Sequence, residues 1–223
     1  MTPGLSRRGL LAALPLALLP LPATALPLPL PPLGRYVYDV EVSDRGRVGS
    51  LTIDLVRTGE LLQVVVERHI QVKVLGITAY RNESTVLQRL EGGRLVYLQR
   101  ETNDDGDRSS LSIRLEGDRL VAEAGGRSWT LDPGLLSTSP WCRAVVERGR
   151  LIDTDSGQAV EVATLAKGRE EVPAAGRRLS ATRYAQRGGV ARDLWFGDED
   201  RLVRMVTYRD DRTVTMSLRA LPG

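Results

Sequence analysis

From Arg35 onward the chain reads as one strand after another, and this rhythm constrains the fold more than any other feature. Tyr36, Tyr38 and Val40 alternate with Val37, Asp39 and Glu41, and Asp44-Arg45-Gly46 then turns the chain. Leu51, Ile53 and Leu55 alternate with Thr52, Asp54 and Val56 before the next turn at Thr58-Gly59. A period of two sends successive side chains to opposite faces of a sheet. Strand patterns recur over 79–90, 95–102, 111–115, 120–124, 160–167, 178–186 and 191–196, mostly with Gly or Asp at the breaks. A hairpin closes the chain. Residues 202–208 run out, Arg209-Asp210-Asp211-Arg212 turns, and Val214, Met216 and Leu218 alternate with polar residues on the return. Helical periodicity is almost absent. The pattern predicts an all-β fold, an antiparallel meander curved into a half-barrel or barrel-like sheet. Pro133-Gly134 and Ser139-Pro140 interrupt it, so a short helix or irregular plug is expected near 133–150.

One position breaks the alternation. In 62–75, Leu62, Val64, Val66, Ile70, Val72 and Val74 share a face, and Arg68 falls among them. Either Arg68 finds a partner inside the fold, or a bulge or bend near Arg68-His69 turns it outward.

Residues 1–25 have the form of a cleavable export signal. Arg7 and Arg8 precede an apolar run of about 13 residues, too short for a spanning helix of roughly 20. Ala23-Thr24-Ala25 offers the small-x-small pattern that a signal peptidase reads, with Ala23 and Ala25 as the small residues. The arginine pair resembles the twin-arginine signal, with Leu10 in place of Phe and Ala12 in place of Lys. The expected partners of this segment are the export machinery and signal peptidase, and the expected location is periplasmic or secreted. The chain holds 31 Lys+Arg and 28 Asp+Glu. Without Arg7 and Arg8 the balance is 29 to 28, which argues against nucleic-acid binding. Residues 26–34 form a Pro/Leu-rich leader that reads as an extended spacer, and 35–221 form a single β-rich domain.

The chemistry-bearing residues are few. Cys142 is the lone cysteine and His69 the lone histidine, so the usual zinc and copper sites cannot be assembled. Cys142 has no evident base beside it and reads as a buried structural thiol. No serine sits in a nucleophile elbow. Residues 103–107 and 153–157 look like fragments of calcium loops but lack the distant bidentate acid, so they read as hairpin turns. Gly125-Gly126 and Gly188-Gly189 open no helix and form no phosphate loop. No catalytic residue, metal site or cofactor is expected. Trp129, Trp141, Trp195 and Tyr184 are the candidate ligand-binding residues, as aromatics that either pack the core or line an apolar cavity.

Several islands carry a family resemblance. They are residues 70–76 with Tyr80, residues 101–106, Ser139-Pro140-Trp141, Leu151-Ile152-Asp153 with Gly157, Tyr184, and Asp193-Leu194-Trp195-Phe196. This set resembles a family of exported bacterial proteins classed as a domain of unknown function, DUF6134. The resemblance implies an export signal at the start of the chain and supplies no catalytic residue. The architecture is also similar to the curled-sheet carriers of lipoproteins and lipids in the bacterial envelope. The leading expectation is therefore a non-enzymatic envelope protein holding an apolar ligand or acyl chain in a curved sheet. The alternatives are a protein-interaction module of the envelope and a carboxylate-dependent hydrolase.

Overall fold

The computed structural model describes residues 28–74, 77–209 and 211–220. Arg7, Arg8, Ala23 and Ala25, which the sequence pattern reads as parts of an export signal, lie outside the described residues. The first half of the sheet comprises β1 (Gly34–Val42), β2 (Gly46–Thr58), β3 (Leu61–Val74), β4 (Ile77–Glu91), β5 (Arg94–Asp104), β6 (Asp107–Glu116), β7 (Arg119–Ala124) and β8 (Arg127–Leu131). The second half comprises β9 (Leu136–Ser137), β10 (Arg150–Ile152), β11 (Ala159–Ala174), β12 (Arg177–Gly188), β13 (Arg192–Phe196), β14 (Leu202–Arg209) and β15 (Arg212–Ala220). Among the described residues there is no α-helix, only 3₁₀ turns at Arg143–Val146 and Asp198–Asp200.

All fifteen strands belong to one sheet, in the order β8-β7-β6-β5-β4-β3-β2-β1-β15-β14-β13-β12-β11-β10-β9. Two meanders join where β1 pairs with β15, and every pairing is antiparallel except β9 with β10. The curvature follows from chain connectivity. Leu131 ends one edge strand and Leu136 begins the other, although thirteen strands lie between them in the sheet. Five residue steps reach at most about 17 Å. The two edges therefore approach each other, and the sheet curls around a lumen without closing into a hydrogen-bonded barrel. At the seam, the Trp129 indole of β8 donates to the Gly157 carbonyl in the β10–β11 turn at 3.1 Å.

Inward side chains fill one end of the lumen. Leu55, Leu62, Leu90, Leu95, Ile113 and Leu120 are almost fully buried there. Residues 137–146 form the expected plug across the interior. Ser137 Oγ and Trp141 Nε1 both donate to Gln88 Oε1 on β4, at 2.7 and 3.3 Å. Gln186 Nε2 on β12 donates to the Val145 carbonyl at 2.9 Å. At the other end the inward apolar side chains Val42, Ile70, Val72, Val214 and Met216 are only partly buried, so the lumen there is not packed shut.

The Pro/Leu-rich stretch, expected as an extended spacer, packs onto the sheet where it is described. Leu28 and Leu30 pack against the core, and the Tyr36 hydroxyl donates to the Pro32 carbonyl at 2.6 Å. Three strands went unrecognised in the sequence: β8, β9 and β10. The β11 strand also runs on to Ala174, past a bulge at Ala166/Gly168.

Candidate functional site

The register of β3 resolves the Arg68 question. Pairing with β2 runs unbroken from Gly49↔Ile70 to Thr58↔Leu61, and the bulge against β4 falls later, between Val72 and Lys73. Arg68 therefore stays on the inner face with Val64, Val66 and Ile70. Its partner is Asn82 on β4, whose Oδ1 accepts from Arg68 Nε at 3.0 Å.

A polar belt continues from there across the inner wall. Ser84 and Thr102 share a hydrogen bond at 2.9 Å. Arg100 on β5 donates from Nη1 to Thr102 Oγ1 at 2.7 Å and to Ser109 Oγ at 3.0 Å. On the opposite wall, Arg192 of β13 donates from Nε to Gln186 Oε1 at 2.8 Å and from Nη1 to the Thr138 carbonyl. Arg100 is 7% exposed and Arg192 5%. Arg100 Nε and Arg192 Nη2 are buried and find no hydrogen-bond partner in the protein. Burial lowers the Arg192 pKa to about 10, opposed only by the charge of Asp153, so the guanidinium remains charged at neutral pH.

Among the described residues, none of these three arginines forms an ion pair. The arginines nearer the surface mostly do. Arg45 and Arg212 pair with Asp44, and Arg209 pairs with Asp155. Two acids of the site, Asp104 and Asp153, are already engaged, while Asp211 is exposed on the outer chamber. Asp104 accepts from the Tyr80 hydroxyl and the Asn82 amide, which hold its carboxyl below the usual range. Asp153 accepts the Asp155 and Ser156 amides of its own turn.

Two connected cavities occupy this part of the lumen. The inner one, about 450 Å³, is lined by Arg68, Arg100 and Arg192 together with Ser84, Val86 and Met205. The outer one, about 1270 Å³, has apolar walls of Val40, Val42, Ile70, Val72, Val214 and Met216 and a charged rim that includes Arg45, Arg209, Asp211 and Arg212. They share Arg68, Arg100, Asp155, Thr207, Arg209 and Met216 and so form one cleft. Ligand sites typically enclose about 300–1,000 Å³. The outer chamber exceeds that range, and an apolar wall there leads to a cationic floor.

None of the four predicted aromatics lines this cleft. Trp129 sits at the seam, and Trp141 is buried in the plug. Trp195 lies on the outer face of β13, where Nε1 reaches Glu170 and the Arg183 and Arg204 guanidiniums stack within 5.2 and 5.7 Å of its ring centroid. Tyr184 packs edge-on against Phe196 at 6.2 Å. They are dispersed because each ring packs locally, Trp129 at the seam, Trp141 inside the plug, Trp195 against Glu170 and two arginines, and Tyr184 against Phe196. Of the residues that line the cleft, Arg68 alone stands out in the sequence as a break in an apolar alternation.

The remaining candidates are placed as follows. Cys142 is fully buried, and burial pushes its thiol up to about 12. His69 is exposed on the outer face, with Nδ1 3.7 Å from Glu83. Residues 103–107 make the β5–β6 turn, in which the Asn103 side chain accepts from Gly106 N at 3.0 Å. Among the described residues, no three His, Cys, Asp or Glu side chains group closely enough to hold a metal ion.

A single curled, mostly antiparallel sheet around a basic-floored cleft defines the class: a barrel-like all-β protein. The model of the family described as Domain of unknown function (DUF6134) matches residues 38–219, and the chain belongs to that family. A solved structure similar in fold is a beta-barrel-like protein of Domain of Unknown Function DUF1849 from Brucella abortus. It is 11% identical, with a TM-score of 0.62 over 84% of this chain and 96% of that one. LprF from Mycobacterium bovis aligns at 15% identity over 83% and 84% of the two chains, but its TM-score of 0.28 supports no structural argument. No curated protein sequence matches the chain.

Proposed function

We propose that this chain is an exported protein of the bacterial envelope that holds an apolar molecule or acyl chain in the lumen of its curled sheet. The outer chamber of about 1270 Å³ carries the proposal. Val42, Ile70, Val72, Val214 and Met216 point into it from three strands, β1, β3 and β15, yet remain only partly buried. A chain lying against them would complete a burial that the protein's own side chains leave unfinished. The export pattern at Arg7, Arg8, Ala23 and Ala25 supports the location.

Mass spectrometry of the organic extract from gently purified protein tests the proposal, together with titration of purified protein with alkyl ligands. The expected result is a stoichiometric apolar molecule in the extract, or saturable alkyl binding. Absence of both overturns it.

A further inference from the structure

We propose that the cleft takes a single-chain amphiphile whose anionic head group, a carboxylate or a phosphate, sits against Arg68, Arg100 and Arg192. The tail would then run outward along Val40, Ile70, Val72, Val214 and Met216. The inference rests on the apolar-cleft proposal above and adds the head group and the direction of entry.

Three observations carry it. First, the three guanidiniums come from strands on opposite walls, β3 and β5 against β13, and line the same inner chamber. Second, each lacks a carboxylate partner among the described residues, and Arg100 and Arg192 keep a buried N–H unbonded. A buried charge without a counter-charge destabilises a fold, and an apolar side chain of similar volume would serve packing better. The arrangement is explained when the counter-charge arrives with the ligand. Third, the acids nearest the three arginines have other partners, and Asp211, exposed on the outer chamber, forms an ion pair with none of the three. Asp104 is held by Tyr80 and Asn82, Asp153 by its own turn, and Asp155 lies beside Arg209. Guanidinium forks match carboxylate and phosphate oxygens in charge and geometry. The position of the arginines sets the orientation: Arg192 belongs to the inner chamber alone, Arg68 and Arg100 stand at its junction with the outer one, and the partly buried Ile70, Val72 and Val214 lie beyond them in the outer chamber.

Calorimetric titration of the purified protein with decanoate, decyl phosphate, decanol and inorganic phosphate tests the inference. Both anionic amphiphiles are expected to bind at least about tenfold more tightly than decanol, the range of one to two charge-assisted hydrogen bonds in a buried site. That preference is expected to fall below about threefold in Arg100→Gln and in Arg192→Gln, and to persist in Arg81→Gln on the outer face. The wild-type preference alone decides the matter if a variant fails to fold. Equal binding of decanoate, decyl phosphate and decanol overturns the head-group inference and leaves the apolar cleft standing. Binding of inorganic phosphate with no amphiphile bound overturns both and assigns a free-anion site. No binding of any of the four overturns both.

Discussion

Gly157 is the residue on which the seam of the sheet depends, and Gly157→Ala measures that dependence. Its φ of +71° lies in the left-handed region. An alanine there meets roughly 1–2 kcal/mol of backbone strain. A Cβ at this position would stand 2.5 Å from Leu111 Cδ1 and 2.9 Å from Trp129 Cζ2. Carbon contacts settle at about 3.5–4.0 Å, so both neighbours must retreat by about 1 Å. Neither moves freely. Leu111 is 1% exposed, and the Trp129 ring is tethered by its hydrogen bond to the Gly157 carbonyl. Overpacking of this kind adds about 1–3 kcal/mol, for a total near 2–5 kcal/mol.

Gly134 supplies the control. It lies in the 132–135 connection between the two edges with φ +81° and nothing within 4 Å of an added Cβ. Gly134→Ala should show only the backbone part, about 1–2 kcal/mol. Urea unfolding followed by tryptophan fluorescence reads both variants, and their difference isolates the packing of the seam. Leu111→Ala alone should cost about 2–5 kcal/mol. Combined with Gly157→Ala it opens space for the new methyl, so the double variant should be more stable than the sum by about 1–3 kcal/mol. A Gly157→Ala cost no larger than that of Gly134→Ala, or strict additivity with Leu111→Ala, would refute the seam as drawn.

Other outcomes follow from the same geometry. Each methylene added to an alkyl ligand should tighten binding about fourfold, from roughly 0.8 kcal/mol per buried CH₂, until the outer chamber is filled; calorimetry across a chain-length series checks this. Asp193 is inaccessible to solvent; burial raises its pKa, but hydrogen bonds from Arg183 and Arg187 outweigh that and leave it lowered. Its contribution is thus present above the unfolded carboxyl pKa of about 3.9 and lost as pH falls through the folded value. Asp193→Asn should cost about 2–3 kcal/mol at neutral pH, discounted for the partial exposure of both arginines, and should flatten the loss of stability below about pH 4 in urea titrations. Cys142 should resist thiol reagents at pH 8 in the folded protein and react fully after unfolding, because its thiol is buried and titrates at about 12.

The meander was legible because half-buried strands alternate, and the Gly and Asp turns punctuated it. What escaped was carried by segments without that signal. In β8 only Trp129 and Leu131 are apolar, and β10 is three residues long. The far half of β11 contains Gly168, Glu170, Glu171 and Pro173, which read as breakers, yet it pairs with β12 as far as Ala174↔Arg177. The meeting of the two edges was invisible too, because it depends on the four residues 132–135 joining strands at opposite ends of the sheet. The aromatics were a poor guide to the site. An indole looks the same in a core as in a cavity wall, and its N–H settles wherever a carbonyl or carboxylate is near.

The arginines were harder to find for a different reason, and that reason bears on function. Arg192 belongs to a strand buried on both faces from Arg192 to Phe196, where no alternation exists to be broken. Arg100 sits between Gln99 and Glu101, with polar residues on either face. Only Arg68 interrupts a clean apolar stripe. In a flat sheet packed on a second layer, that interruption would leave a charge in a dry core, and selection would remove it or pair it with an acid. A curled sheet offers another outcome, because its inner face borders a lumen that is filled at one end and open at the other. Arg68 lies where the two ends meet, between buried Val66 and partly buried Ile70. The same alternation that builds the apolar wall therefore delivers a cation to its inner limit. In a lumen lined this way, one arginine out of pattern marks where a ligand's charge would stop.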